Sequence, residues 1–185
     1  MSDKAARIVE AATELFRRYG FRRTSMELLA AEAKVAKPTI YAHFKDKEAL
    51  FRAVVEAVSA SIYDAAKEAS EAGGPLEERV AAMLAAKHTR YWELVQASPH
   101  AEELVRSQDE LAAAIVKRFD RAYAKLLGEV LAAGGLRLER FELTAASCAQ
   151  LLIRATSGAG YDATSVASHR RNLREIVHVL LGALR

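Results

Sequence analysis

Apolar residues return at three- and four-residue steps along almost the whole chain, the spacing of a helix face, and no stretch alternates as a strand would. Ile8, Ala12, Leu15, Phe16 and Tyr19 share one stripe, and Gly20 supplies a C-terminal stop. Thr24 and Glu27 stand at capping-box spacing, which predicts a second helix with Met26, Leu29, Ala30 and Ala33 inward. The Lys34-Val35-Ala36 stretch cuts it short. A third helix opens around Lys37-Pro38, where proline is tolerated in the first turn. Asp46 caps a long helix bearing Leu50, Phe51, Val54, Val58 and Ile62, which ends before Gly73-Gly74-Pro75. The next helix runs from Pro75 to about Ala97. A shorter one begins at Ser98-Pro99, with Ser98 as cap and Glu102 and Glu103 near its positive end. Leu111, Ile115, Phe119, Ala122 and Leu126 mark another, ending at Gly134-Gly135, and two last helices span about Glu139 to Ser157 and about Thr164 to Leu184. The fold class is all-α.

Composition narrows the setting. No uncharged apolar run reaches the roughly 18 to 20 residues of a membrane span. The first ten residues carry charges of both signs and lack the apolar centre of a secretory signal, so a cytoplasmic protein is expected. The single cysteine, Cys148, agrees with that; it reads either as a small core residue or as a redox thiol. The 185 residues leave room for a small domain joined to a medium one, with the boundary at the start of the long helix: 1–45 and 46–185. Residues 1–45 hold nine Lys or Arg and five acids, a surplus of four, while the whole chain carries +3 and the remainder therefore −1. A basic quarter on a nearly neutral body suits a polyanion-binding module on a separate scaffold.

Two short helices joined by a tight turn and preceded by a third are what a helix-turn-helix requires, one crossing the DNA backbone and the other offering its N-terminal residues to base edges. Within Lys37 to Lys45, Ile40 and Phe44 are four apart and pack inward, leaving Lys37, Thr39, Tyr41 and His43 to point elsewhere. Lysine pairs with phosphate or guanine, and threonine offers a hydroxyl or a methyl group to a base. The tyrosine hydroxyl and the amides around Thr24 and Ser25 are suitable phosphate donors.

From Thr24 to Phe51 the sequence TSMELLAAEAKVAKPTIYAHFKDKEALF resembles the TetR-family signature. The matching positions are Thr24, Ala33, Val35, Lys37, Thr39, Ile40, Tyr41, Phe44, Lys47, Glu48 and Leu50, and with the first helix the likeness covers about 50 residues. Three positions depart from it: Lys34 replaces the usual turn glycine, Ala36 a capping serine and Pro38 a common glycine. Lys34 strains the turn if positive φ is needed there, and Ala36 forgoes a cap worth about 1 kcal/mol. The resemblance implies an N-terminal three-helix DNA-binding domain followed by a helical dimerisation and ligand-binding domain. It makes Lys37, Thr39 and Tyr41 the DNA-reading surface, with Pro38 altering it, and Thr24, Ser25, His43 and Lys47 contacts to the DNA backbone. It further implies a homodimer through the last two helices, a palindromic operator, and repression relieved by a small molecule.

The residues of the C-terminal part permit these expectations without choosing among alternatives. Val166, Leu173, Ile176, Val177, Leu180 and Leu181 form a broad stripe, and Ala145, Ala146, Ala149 and Ala155 are small enough for close helix approach, in a dimer or in a monomer core. His88, in line with Val80, Leu84, Tyr91 and Val95, together with Trp92, Phe119, Tyr123, Gln150 and Arg154, are polar or aromatic groups in apolar surroundings and form the candidate ligand set; core packing is the competing role for each. No phosphate-binding glycine loop, His-Glu-x-x-His metal pair or cysteine signature points to an enzyme, a metal or a cofactor. A helical dimeric sensor without DNA is the other reading.

Overall fold

In the computed structural model, which describes residues 2–96 and 98–185, eight α-helices and two short 3-10 turns account for all the regular structure, with no strand among the described residues. The expected helix end at Ala97, and Met1 at the start of the first expected domain, lie outside them. Two compact units arise, Met1–Ala60 with Leu94–Arg118, and Ser61–Glu93 with Phe119–Arg185. The division differs from the expected break at residue 46. The long fourth helix and the sixth each give one half to either unit, because a continuous helix carries its stripe past the point where a loop-based boundary would fall.

In the first unit, α1 (Asp3–Tyr19) starts at Ser2, whose hydroxyl accepts the Ala5 N–H at 3.3 Å, and stops at Gly20, with φ 81°. Its stripe buries Ile8, Ala12, Leu15 and Phe16, whereas Tyr19 is exposed in the last turn. The α2 helix (Met26–Glu32) is capped by Ser25, which accepts from the Leu28 N–H, and not by Thr24 as expected. Thr24 is fully buried and donates its hydroxyl to the Gly20 carbonyl at 2.7 Å, tying the end of α1 to the start of α2. Lys34 takes φ 54°, the conformation a turn glycine would supply, before α3 (Lys37–His43). Ala36 gives that helix no side-chain cap. Asp46 accepts from the Ala49 N–H at 2.6 Å and opens α4 (Lys47–Glu71). Ile8, Leu15, Leu29, Ile40 and Leu50 form the fully buried centre. Beside them Phe16, Phe21 and Phe51 meet with ring centroids 4.9 to 5.6 Å apart, as edge-to-face and tilted pairs.

After α5 (Leu76–Gln96), one 32-residue helix, α6 (Ala101–Ala132), replaces the two expected between Ser98 and Gly134. Its interior contains no proline, so nothing breaks it between the segments that were read separately. Ser98 lies ahead of it, accepting from the His100 N–H and donating to the Arg17 carbonyl at 2.8 Å. In the second unit, residues 138–141 form a 3-10 turn where the first of the last two helices was expected to begin. The α7 helix (Ala145–Thr156) starts instead at a reciprocal Thr144–Ser147 capping box, and α8 (Val166–Ala183) at a Ser165–Ser168 box. Met83, Leu84, Leu127, Leu131, Leu152, Leu173, Val177 and Leu181 build this unit's core.

Candidate nucleic-acid interface

The turn between α2 and α3 and the outer side of α3 bring the sequence-derived surface together. Ile40 is fully buried and Phe44 nearly so, which anchors α3 by its inner side. Lys37, Pro38, Tyr41 and His43 are then exposed and Thr39 half-exposed, all within two helical turns. Arg22, Arg23, Lys34 and Lys45 are exposed on the same unit. Ser25 is exposed as the α2 cap. The Lys37 ammonium lies 5.9 Å from the Tyr41 ring centroid and forms an ion pair with the Glu27 carboxylate. That hydrogen bond raises the lysine's pKa and lowers the glutamate's, so both stay charged at neutral pH.

Two expected DNA contacts point inward. The Thr24 hydroxyl is spent on Gly20 and has no exposure, so the side chain does not reach a phosphate. Lys47 donates to three carbonyls, Phe21 at 2.9 Å, Arg22 at 3.1 Å and Thr24 at 3.0 Å, and sits 4.6 Å from the Phe21 ring centroid. Those three acceptors use all three ammonium protons. Burial lowers its pKa. Lys47 therefore fixes the α1–α2 turn from the start of α4, which a linear reading could not separate from an exposed cation. The same turn is held from α6, because Glu103 accepts the Arg22 N–H at 2.6 Å and packs where a Cβ on Gly20 would stand, 2.8 Å from its carboxylate. Glu27 and Glu103 were both missed as parts of the surface and its support.

The ligand candidates divide. His88 is half-buried, with Nε2 3.1 Å from the Thr156 hydroxyl, which itself donates to the Leu152 carbonyl at 2.7 Å. The threonine has one proton, so Nε2–H of His88 is the donor. Burial holds this imidazole down at about 4. His169, not foreseen, is buried against Thr89, 3.1 Å from Nδ1, and its ring lies 5.6 Å from that of Trp92. It precedes Leu173, Val177 and Leu181 at four-residue steps, a stripe that could have revealed it. The Trp92 N–H and the Tyr123 hydroxyl are buried with no hydrogen-bond partner among the described residues. Phe119 is half-buried, its ring 6.5 Å from Tyr63. Gln150 and Arg154 are exposed, because the buried stripe of α7 runs through Cys148, Ala149, Leu152 and Thr156, and they fall on its other side. Cys148 is fully buried and its thiol pKa is raised by burial, which makes it a core residue and not an accessible redox group.

Residues 8–54 match the family model for bacterial regulatory proteins of the tetR family. An HTH-type transcriptional regulator of Bacillus subtilis (strain 168), YhgD, is 40% identical over 78 residues, 42% of this chain and 41% of that protein. The A-factor receptor protein of Streptomyces griseus is 33% identical over 73 residues, 40% of this chain and 25% of the receptor. These matches thus span less than half of each relative's length. Among solved structures, SCO4454, a TetR-family transcriptional regulator from Streptomyces coelicolor, superposes with a TM-score of 0.73 at 19% identity, covering 99% of this chain and 97% of the other. The fatty acid degradation regulator FadR from Bacillus halodurans gives 0.69 at 20%, covering 100% and 98%. At such identities the agreement is one of fold.

Proposed function

We propose, from the premise that this chain is a TetR-family transcriptional regulator with its helix-turn-helix in residues 8–54, that it is a cytoplasmic homodimeric repressor of a palindromic operator, released by a small molecule. The observation carrying the DNA part is the exposed Lys37, Thr39 and Tyr41 edge on a helix whose opposite side is locked by Ile40. Lys37 and Thr39 reach base edges, Pro38 shapes the approach, and Tyr41, Ser25 and His43 hold phosphates. The dimer forms through α7 and α8, which carry Leu151 and Val179 as exposed apolar groups, Val179 at 68%. A two-fold pair of heads matches an operator of two inverted half-sites. The effector enters the interior of the second unit, where the Trp92 N–H and Tyr123 hydroxyl are hydrogen-bond donors left for a ligand acceptor, beside His88 and Phe119.

Selection from random-sequence DNA tests this. The reading predicts enrichment of an inverted repeat with half-sites about 34 Å apart, one helical turn. Enrichment of no sequence would leave a helical sensor without an operator.

A further inference from the structure

One acid stands on the DNA-reading surface, and the readout described above gives it no task. Glu27 lies in the first turn of α2 and Lys37 in the first turn of α3, and their ion pair closes across the turn of the helix-turn-helix. Both side chains are open to solvent, Glu27 at 65% and Lys37 at 45%, so the pair does not serve the core. Lys37 is thereby engaged in the DNA-free protein while the Tyr41 ring lies beside it.

We propose that Glu27 sets specificity: its carboxylate occupies Lys37 as a phosphate would, so that DNA must displace it. This rests on the reading of Lys37 as a DNA contact. A carboxylate oxygen and a phosphate oxygen offer the ammonium similar bonds. At an arbitrary sequence, exchanging one for the other gains little and leaves Glu27 unpaired near the phosphates. At the operator, guanine acceptors for Lys37 and the neighbouring Thr39 base contact add what the exchange lacks. Glu27 therefore weakens binding to arbitrary DNA more than binding to the operator.

The test measures binding to a random-sequence duplex and to the selected operator across a salt titration, for the wild type, Glu27→Gln, Lys37→Met and the double variant. On random DNA, Glu27→Gln binds about two- to fivefold tighter, the range of an exposed ion pair. Its log–log salt slope steepens by about 0.9, one further phosphate contact. Operator affinity rises less, so the specificity ratio falls. In the Lys37→Met background, Glu27→Gln leaves the slope unchanged, which separates release of Lys37 from a general loss of repulsion. An unchanged slope in the presence of Lys37, or the same steepening in its absence, overturns the proposal. So does a selective loss at the operator, which would make Glu27 a reader of a cytosine amine. If the wild type prefers no sequence, the operator reading fails, and the random-DNA slopes still decide the role of Glu27.

Discussion

Lys34 holds a left-handed backbone conformation, φ 54°, at the turn joining α2 to α3, where its Cβ crowds the following carbonyl. Replacing it with glycine relieves this, and Lys34→Gly is expected to raise stability by about 0.5–1 kcal/mol in urea unfolding, after the entropy that glycine loses. Ala36→Ser, supplying the missing cap of α3, should add about 1 kcal/mol. In the second unit, His88 stays neutral because burial lowers its pKa from 6.5 to about 4, and His169 is lowered in the same direction. A depressed histidine is protonated more readily in the unfolded chain, so stability is complete above about pH 6.5 and falls as the pH drops toward 4. Glu14 and Glu27, lowered from 4.5 by their arginine and lysine partners, add their loss only below about 4.5. Melting followed between pH 6.5 and 4.5 isolates the histidines, and His88→Gln should flatten that stretch of the curve; an unaltered curve would show that His88 is not held neutral.

At the scale of elements, Lys47 links the start of α4 to the α1–α2 turn through three carbonyls. Lys47→Met leaves those oxygens to find water and should cost about 1–3 kcal/mol. It should weaken DNA binding with the salt slope unaltered, whereas a phosphate contact at this position would lower the slope by about 0.9. The end of α1 and the starts of α3 and α4 were legible because each is punctuated locally, by Gly20, Pro38 and Asp46. The cap of α2 was misplaced by one residue, since Thr24 and Ser25 are equally able acceptors and only the fold shows which hydroxyl turns inward. Pro99 suggested a helix start, and α6 starts two residues later; its continuity to Ala132 was hidden because the residues from Arg106 to Glu110 are all polar, including Ser107, which is buried, so the apolar pattern lapses there. The Thr89–His169 and His88–Thr156 pairs join residues 80 and 68 apart, and no local spacing encodes them. Likewise, Lys47 is a phosphate contact or a structural latch according to three carbonyls more than twenty residues away.

At the scale of the whole molecule, the proposed function needs two reading heads, and hence a dimer. Val179→Asp places a charge at the exposed apolar position of α8, on the face proposed as the interface. If that face is the interface, burying the charge should weaken the dimer by roughly a hundredfold or more in sedimentation equilibrium and abolish palindrome protection together with it. A dimer that persists would move the interface elsewhere. Whether the outer edge of α3 reads DNA is decided by footprinting the selected operator at several salt concentrations with the wild type, Lys37→Ala and Tyr41→Ala. The wild type should protect two half-sites about one helical turn apart. Both variants should lose protection at lower salt, with Lys37→Ala also relaxing the preference at one base position by about 1–3 kcal/mol. Identical protection by all three proteins would mean that this edge of α3 does not read DNA.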